Sequence, residues 1–174
     1  MNMEWKKTAS EPAYQGWRKI DRVTYELPTG ITADFEIKQD GNAVCVLPLT
    51  TDNQVVMTKQ YRPGPGKVLL ELPGGGAHAD EDFMEAMKRE LLEETGYSGD
   101  LELVGASFVD AYSTAIRHHF IAHNCHKVAE PENNPREPIE TALLSLEEFR
   151  EHLRSGQLTD VATGYMALDH AGLL

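Results

Sequence analysis

Cysteine is nearly absent from this chain, with two in 174 residues, Cys45 and Cys125. Two such distant cysteines exclude a disulfide framework and a four-ligand zinc site. Both lie in apolar, strand-like runs, which predicts buried thiols in a reducing cytoplasm. No segment approaches the roughly 20 apolar residues of a membrane span. The first ten residues carry charges and no apolar core, unlike a signal peptide. Positive charge is scarce as well: 16 Lys and Arg face 28 Asp and Glu, a net charge of −12. That balance argues against nucleic acid or an anionic membrane as the main partner. Internal repeats and low-complexity tracts are also missing. The remaining composition, 41% hydrophobic and 25% charged, is ordinary for one globular domain large enough to bury a core.

Alternation supplies most of the secondary structure. Val23, Tyr25 and Leu27, then Ile31, Ala33, Phe35 and Ile37, flank Leu27-Pro28-Thr29-Gly30. This predicts an antiparallel hairpin within 17–39 joined by a tight turn. Strands are expected at 43–49, 55–60, 69–72, 101–108, 118–122 and 141–144. The segment 131–138 is a polar loop. Ser145 and Glu148 form a capping box that opens a helix ending near Gly156, and a last helix begins near Asp160. Mixed strands with two or three helices give an α+β sandwich. The chain divides into an N-terminal β extension, 1–40, and a main domain, 41–174.

The most informative helix is predicted over 83–95. Asp82 and Glu85 have capping-box spacing, and Gly96 stands where a left-handed C-cap is expected. Phe83, Met84, Met87 and Leu91 form an apolar stripe. Glu90 and Glu94 continue its Phe83 edge, with Glu93 beside them. Three close carboxylates repel one another unless a cation neutralises them. Mg²⁺ suits such oxygen donors, and Mn²⁺ can substitute. By itself the cluster also fits a solvated acidic helix face. The run just upstream, Glu71-Leu72-Pro73-Gly74-Gly75-Gly76, favours a site, because a glycine-rich loop after a strand lets the backbone approach a ligand closely.

The positions Gly75, Glu81, Arg89-Glu90-Leu91, Glu93-Glu94 and Gly96-Tyr97 match the Nudix box at each defining position across a 23-residue window. The chain resembles the ADP-ribose pyrophosphatase branch of the Nudix hydrolases over nearly its whole length. Gln60-Tyr61-Arg62-Pro63 is similar to that branch's approach to its box, and Leu158 to Thr163 to its tail. One region departs. The branch usually carries a proline about fifteen residues past the box, whereas Asp110 to Ala115 has none and includes Tyr112. A tyrosine there marks relatives that cleave dinucleoside polyphosphates.

The resemblance implies a Nudix-type α/β/α sandwich with a mixed sheet, and Mg²⁺-dependent hydrolysis of a small nucleoside diphosphate derivative, ADP-ribose foremost. A dinucleoside polyphosphate hydrolase and a non-catalytic nucleotide-sugar sensor are the alternatives. It implies Glu90, Glu93, Glu94 and the Gly74 carbonyl as metal ligands. Glu93, Arg89 and Glu137 are the candidate catalytic residues. Arg89 either touches phosphate or braces carboxylates, with Glu85 and Glu93 one turn away on either side. Glu81 is near the ligands or purely structural. Glu137 is the general-base candidate on a loop that also offers Glu130, Glu132 and Glu140. Arg62 is a candidate diphosphate clamp, since its fork matches phosphate geometry, against an ordinary exposed arginine. His78 reads as exposed, and of His118 and His119 one should be buried. A homodimer is expected in which the hairpin serves the partner's substrate pocket, with Trp17 and Tyr25 stacking on a base or filling the interface.

Overall fold

The computed structural model describes residues 2–132 and 134–174, so Met1 of the extension and Asn133 of the polar loop lie outside the described residues. Two compact units emerge, one of Met1–Asn42 with Phe108–Ile116, the other of Ala43–Ser107 with Arg117–Leu174.

The first unit is an antiparallel sheet of three strands, β1 (Lys6–Gln15), β2 (Lys19–Glu26) and β3 (Thr32–Lys38), in that order. The β2–β3 hairpin is the one expected, with Gly30 at φ 80° donating to the carbonyl of Leu27. Strand β1 was not expected. All ten of its residues are exposed, so it carries no apolar alternation to reveal it. Trp5 packs on Tyr25 and Phe35, and Phe35 stacks on Tyr112 at 6.4 Å between ring centres.

The second unit contains β4 (Ala43–Thr50), β5 (Gln54–Arg62), β6 (Lys67–Glu71), β7 (Gly74–Gly76), α1 (Phe83–Thr95), β8 (Tyr97–Phe108) except its last residue, β9 (Ile116–Lys127) except its first, β10 (Ile139–Ser145), α2 (Leu146–Ser155) and α3 (Val161–His170). The sheet runs β10-β5-β4-β9-β8, with β6 beside β5 and β7 beside β4. Strands β4 and β9 are parallel while β4–β7, β5–β6 and β5–β10 are antiparallel, which makes the sheet mixed.

Alternation along β4 and β5 divides the core in two. Cys45, Leu47, Leu49, Val55 and Met57 pack with Phe149 and Leu153 of α2 and Leu168 of α3. Val44, Val46 and Val56 pack on the other face with Ala86, Met87 and Leu91 of α1. One helix on one face and two on the other make the α/β/α sandwich. Helix α2 has the full Ser145–Glu148 capping box and a left-handed Gly156. Asp160 precedes α3 without capping it, because its carboxylate is turned to Arg117. The glycine run is itself a strand, not only a loop: Gly74 to Gly76 pair with β4, and at Gly74 the β4 backbone leaves no room for a side chain.

Candidate active site

Helix α1 presents the carboxylates, and its ends hold it in register. Asp82 accepts from the amides of Met84 (2.9 Å) and Glu85 (3.3 Å). The reciprocal half of the expected box does not form, since the Glu85 carboxylate accepts from Lys88 instead. Gly96 closes the helix at φ 73°, donating to the carbonyl of Leu92. Thr95 is fully buried and its hydroxyl bonds back to the Leu91 carbonyl at 2.5 Å.

The glycine strand docks directly onto this helix. The Gly74 amide donates to Glu94 Oε2 at 2.9 Å. At Gly75 a Cβ would stand 2.5 Å from the carboxylate carbon and both oxygens of Glu90, so that carboxylate fills the space a side chain would need. At Gly74 a Cβ would run into the Val44 carbonyl oxygen and come within 2.8 Å of the Cys45 Cα. The two positions therefore separate function from folding. Gly75→Ala should keep the fold, because the Glu90 carboxylate can swing away, and lose activity for that reason. Gly74→Ala meets rigid backbone and should lower stability by about 1–3 kcal/mol. Thermal melting and initial rates on both proteins check this pair.

Arg89 is the centre of the charge network. Its Nε and Nη2 donate to Glu81 at 3.0 and 3.1 Å, its Nη1 to Glu90 at 2.8 Å and Glu93 at 3.2 Å, and Nη2 also to the Gly76 carbonyl at 3.2 Å. It thus braces Glu81, Glu90 and Glu93; of the two carboxylates a turn away, Glu85 goes to Lys88. Glu81 is held in turn by the His78 amide at 2.9 Å. Its bond to Arg89 first, then that amide, lower its pKa to about 2. The same pairing keeps the Arg89 guanidinium firmly charged.

Glu94 and Glu90 are displaced in the opposite direction. Burial first, and then the Glu90 charge, push Glu94 up to about 8, against the Gly74 amide and Arg62, which pull it down. Burial likewise raises Glu90, opposed by Arg89. These are two half-buried carboxylates on one helix edge, with Glu93 beside them. Among the described residues no three acidic, histidine or cysteine side chains are gathered closely enough to hold an ion as they stand. Arg89 draws Glu90 and Glu93, while the Gly74 amide draws Glu94. The donor set nevertheless fits a hard divalent cation: the side chains are all carboxylates, and the side-chain-free cradle at Gly75 admits one of them.

Other candidates fall as follows. Arg62 ends β5, and its Nη2 donates to Glu71 at 3.3 Å. Its Nε is buried with no partner among the described residues. Trp17 is 94% exposed between β1 and β2, whereas Tyr25 is engaged with Trp5 and Phe35. Glu137 is exposed, and its amide donates to the Asn134 carbonyl. The tie between that loop and α1 runs through Glu132, whose amide donates to the Glu93 carbonyl at 2.8 Å. His78 is exposed, as expected. His119 is fully buried between Ser107 (2.9 Å) and Thr163 (2.7 Å), and His118 stacks on Phe83.

Sequence reasoning missed Glu71, Thr159, Asp160 and Arg117. Glu71 is completely buried and accepts from the Thr159 amide (3.0 Å) and hydroxyl (2.5 Å). A signal existed: Glu71 shares the inward phase of β6 with Leu69, where a carboxylate must have partners.

A family model for the Nudix domain matches residues 40–161. The chain is 30% identical over 169 residues to an ADP-ribose pyrophosphatase of Bacillus subtilis (strain 168), covering 94% of this chain and 91% of that protein. It is also 30% identical over 160 residues to a methanol dehydrogenase activator of Bacillus methanolicus, covering 88% and 85%. The crystal structure of an ADP compounds hydrolase superposes with a TM-score of 0.82 over 100% of both chains at 19% identity, a likeness of fold. With the box residues assembled on α1 and the glycine strand, and the family match spanning most of the sheet, the chain belongs to the Nudix family and is a pyrophosphohydrolase.

Proposed function

We propose that this protein hydrolyses the diphosphate bond of a nucleoside diphosphate sugar, converting ADP-ribose to AMP and ribose 5-phosphate with Mg²⁺, or Mn²⁺ in its place. The observation that carries the reading is that Arg62, a half-buried arginine whose Nε–H has no partner among the described residues, lies within electrostatic reach of the α1 carboxylate Glu94. An unpaired buried donor is costly, and a phosphoryl oxygen satisfies it. The choice of ADP-ribose follows the near full-length similarity to the B. subtilis ADP-ribose pyrophosphatase.

Glu90, Glu93, Glu94 and the Gly74 carbonyl would hold the cation. When bound it neutralises phosphoryl oxygens, polarises phosphorus and lowers the pKa of water. Arg89 keeps Glu90 and Glu93 oriented from outside the ligand set. Arg62 binds the diphosphate. Glu137 accepts the proton of the attacking water as a P–O bond to the bridging oxygen breaks. No helix among the described residues is long and apolar enough to cross a membrane, and both cysteines are buried free thiols, in keeping with work in the cytoplasm.

A panel of ADP-ribose, other sugar nucleotides, dinucleoside polyphosphates and NADH, compared by kcat/KM with Mg²⁺, tests the substrate. ADP-ribose should lead. A lead for dinucleoside polyphosphates would favour the reading suggested by Tyr112. Tight ADP-ribose binding without turnover would make the protein a sensor.

The 1–40 extension acts as a dimerisation element, with 41–174 as the hydrolase domain. A three-stranded sheet whose outer strand is exposed throughout needs a surface to pack on, and a second copy supplies one. Trp17 and Tyr25 would then serve the partner's substrate. Removing residues 1–39 should reduce both dimerisation and substrate affinity. Sedimentation showing a monomeric full-length protein, with KM unchanged by truncation, would contradict this.

A further inference from the structure

Four buried or half-buried ionic groups outside the Nudix box lie together where β5, β6 and β9 meet the start of α3. Glu71 at the end of β6 is fully buried, and Asp160, just before α3, is 6% exposed. Facing them are Arg62 from β5 and Arg117 from β9. Arg62 Nη2 donates to Glu71 Oε2 at 3.3 Å, and Arg117 Nη1 forms an ion pair with Asp160 Oδ1 at 2.5 Å. The Thr159 amide donates to Glu71 Oε1 at 3.0 Å and the Thr159 hydroxyl to Oε2 at 2.5 Å. Two cations balance two carboxylates, which is the condition for burying such groups at all.

The pairing of Arg62 is incomplete. A purely structural ion pair would use as many guanidinium donors as geometry allows. Here Glu71 grips one nitrogen, while Nε is buried without a partner among the described residues. Arg62 also acts electrostatically on Glu94, whose carboxylate is bonded to the Gly74 amide. Glu71 stands three residues before that glycine, so one short segment carries both the grip on Arg62 and the contact to Glu94.

We infer that Glu71 is a positioning residue: it ties Arg62 to the Thr159 turn so that the guanidinium is held in place to receive a diphosphate oxygen. The inference rests on the reading of Arg62 as the diphosphate clamp. An arginine at a strand end otherwise loses rotamer freedom when it binds, and Glu71 removes that freedom beforehand. Glutamine at this position can still accept from the Thr159 amide, but it turns an NH₂ group toward Arg62 and breaks the tie.

Calorimetry with α,β-methylene ADP-ribose at saturating Mg²⁺, on Arg62→Ala, Glu71→Gln and the double variant, tests this, with melting temperatures recorded alongside. Arg62→Ala should weaken binding at least about tenfold, as expected for a charge-assisted bond. Glu71→Gln should weaken it by a comparable factor, and should cost nothing further once Arg62 is alanine. Glu71→Gln with a lower melting temperature but unchanged affinity would show a merely structural role and overturn the inference alone, as would additive losses in the double variant. Unchanged affinity in Arg62→Ala would overturn the clamp reading and this inference with it. If Glu71→Gln does not fold, Thr159→Ala replaces it. A loss of about threefold is then expected from the missing hydroxyl bond, absent in the Arg62→Ala background. Unchanged affinity in Thr159→Ala would overturn the inference.

Discussion

Glu94→Gln should lower turnover at least about a hundredfold, or about 2.7 kcal/mol of barrier, while leaving the fold in place. The substitution keeps the volume and the acceptor for the Gly74 amide, and removes the charge that a divalent cation needs. Its effect on the metal-free protein should run the other way. Burial raises Glu94 to about 8 in the folded state, above its ordinary value of 4.5. The folded protein therefore holds that proton more tightly than the unfolded chain, and its contribution to stability is lost as pH rises from about 4.5 through about 8. In a chelator, Glu94→Gln should melt like the wild type near pH 4 and above it near pH 9. A variant that was both fully active at limiting Mg²⁺ and no more stable at pH 9 would show that Glu94 is not a ligand.

Arg89→Lys should reduce activity about 10- to 100-fold, the range seen when support for metal ligands is removed. Arg89 spans four acceptors, Glu81, Glu90, Glu93 and the Gly76 carbonyl, from one planar fork. A lysine ammonium cannot reach both sides of that arrangement. The loss should appear in the Mg²⁺ concentration needed for half-maximal rate more than in the KM for substrate, because Arg89 holds carboxylates. An unchanged metal requirement with a raised KM would instead make Arg89 a phosphate contact.

Much of this site was legible because its signals are local. Helix α1 was readable from Asp82 to Gly96, since caps and a 3.6-residue stripe lie within one segment. The glycine run was readable as an approach to a ligand, but its pairing with β4 was not, because strand pairing depends on residues 29 to 33 positions away. For Arg89 the spacing offers a brace beside a phosphate contact, but its main partner, Glu81, is eight residues off and joins it only by tertiary folding. Strand β1 escaped because its ten exposed residues carry no burial pattern. Glu71 and Asp160 escaped for a related reason. A buried carboxylate looks like a surface one until its partners, Arg62, Arg117 and Thr159, arrive from distant elements.

The central claim is tested most directly by incubating the purified protein with ADP-ribose, with Mg²⁺ or with excess chelator, and identifying the products chromatographically. AMP and ribose 5-phosphate in equal amounts with Mg²⁺, and intact ADP-ribose in chelator, are the result predicted. ADP-ribose left intact in the presence of Mg²⁺ would contradict the account.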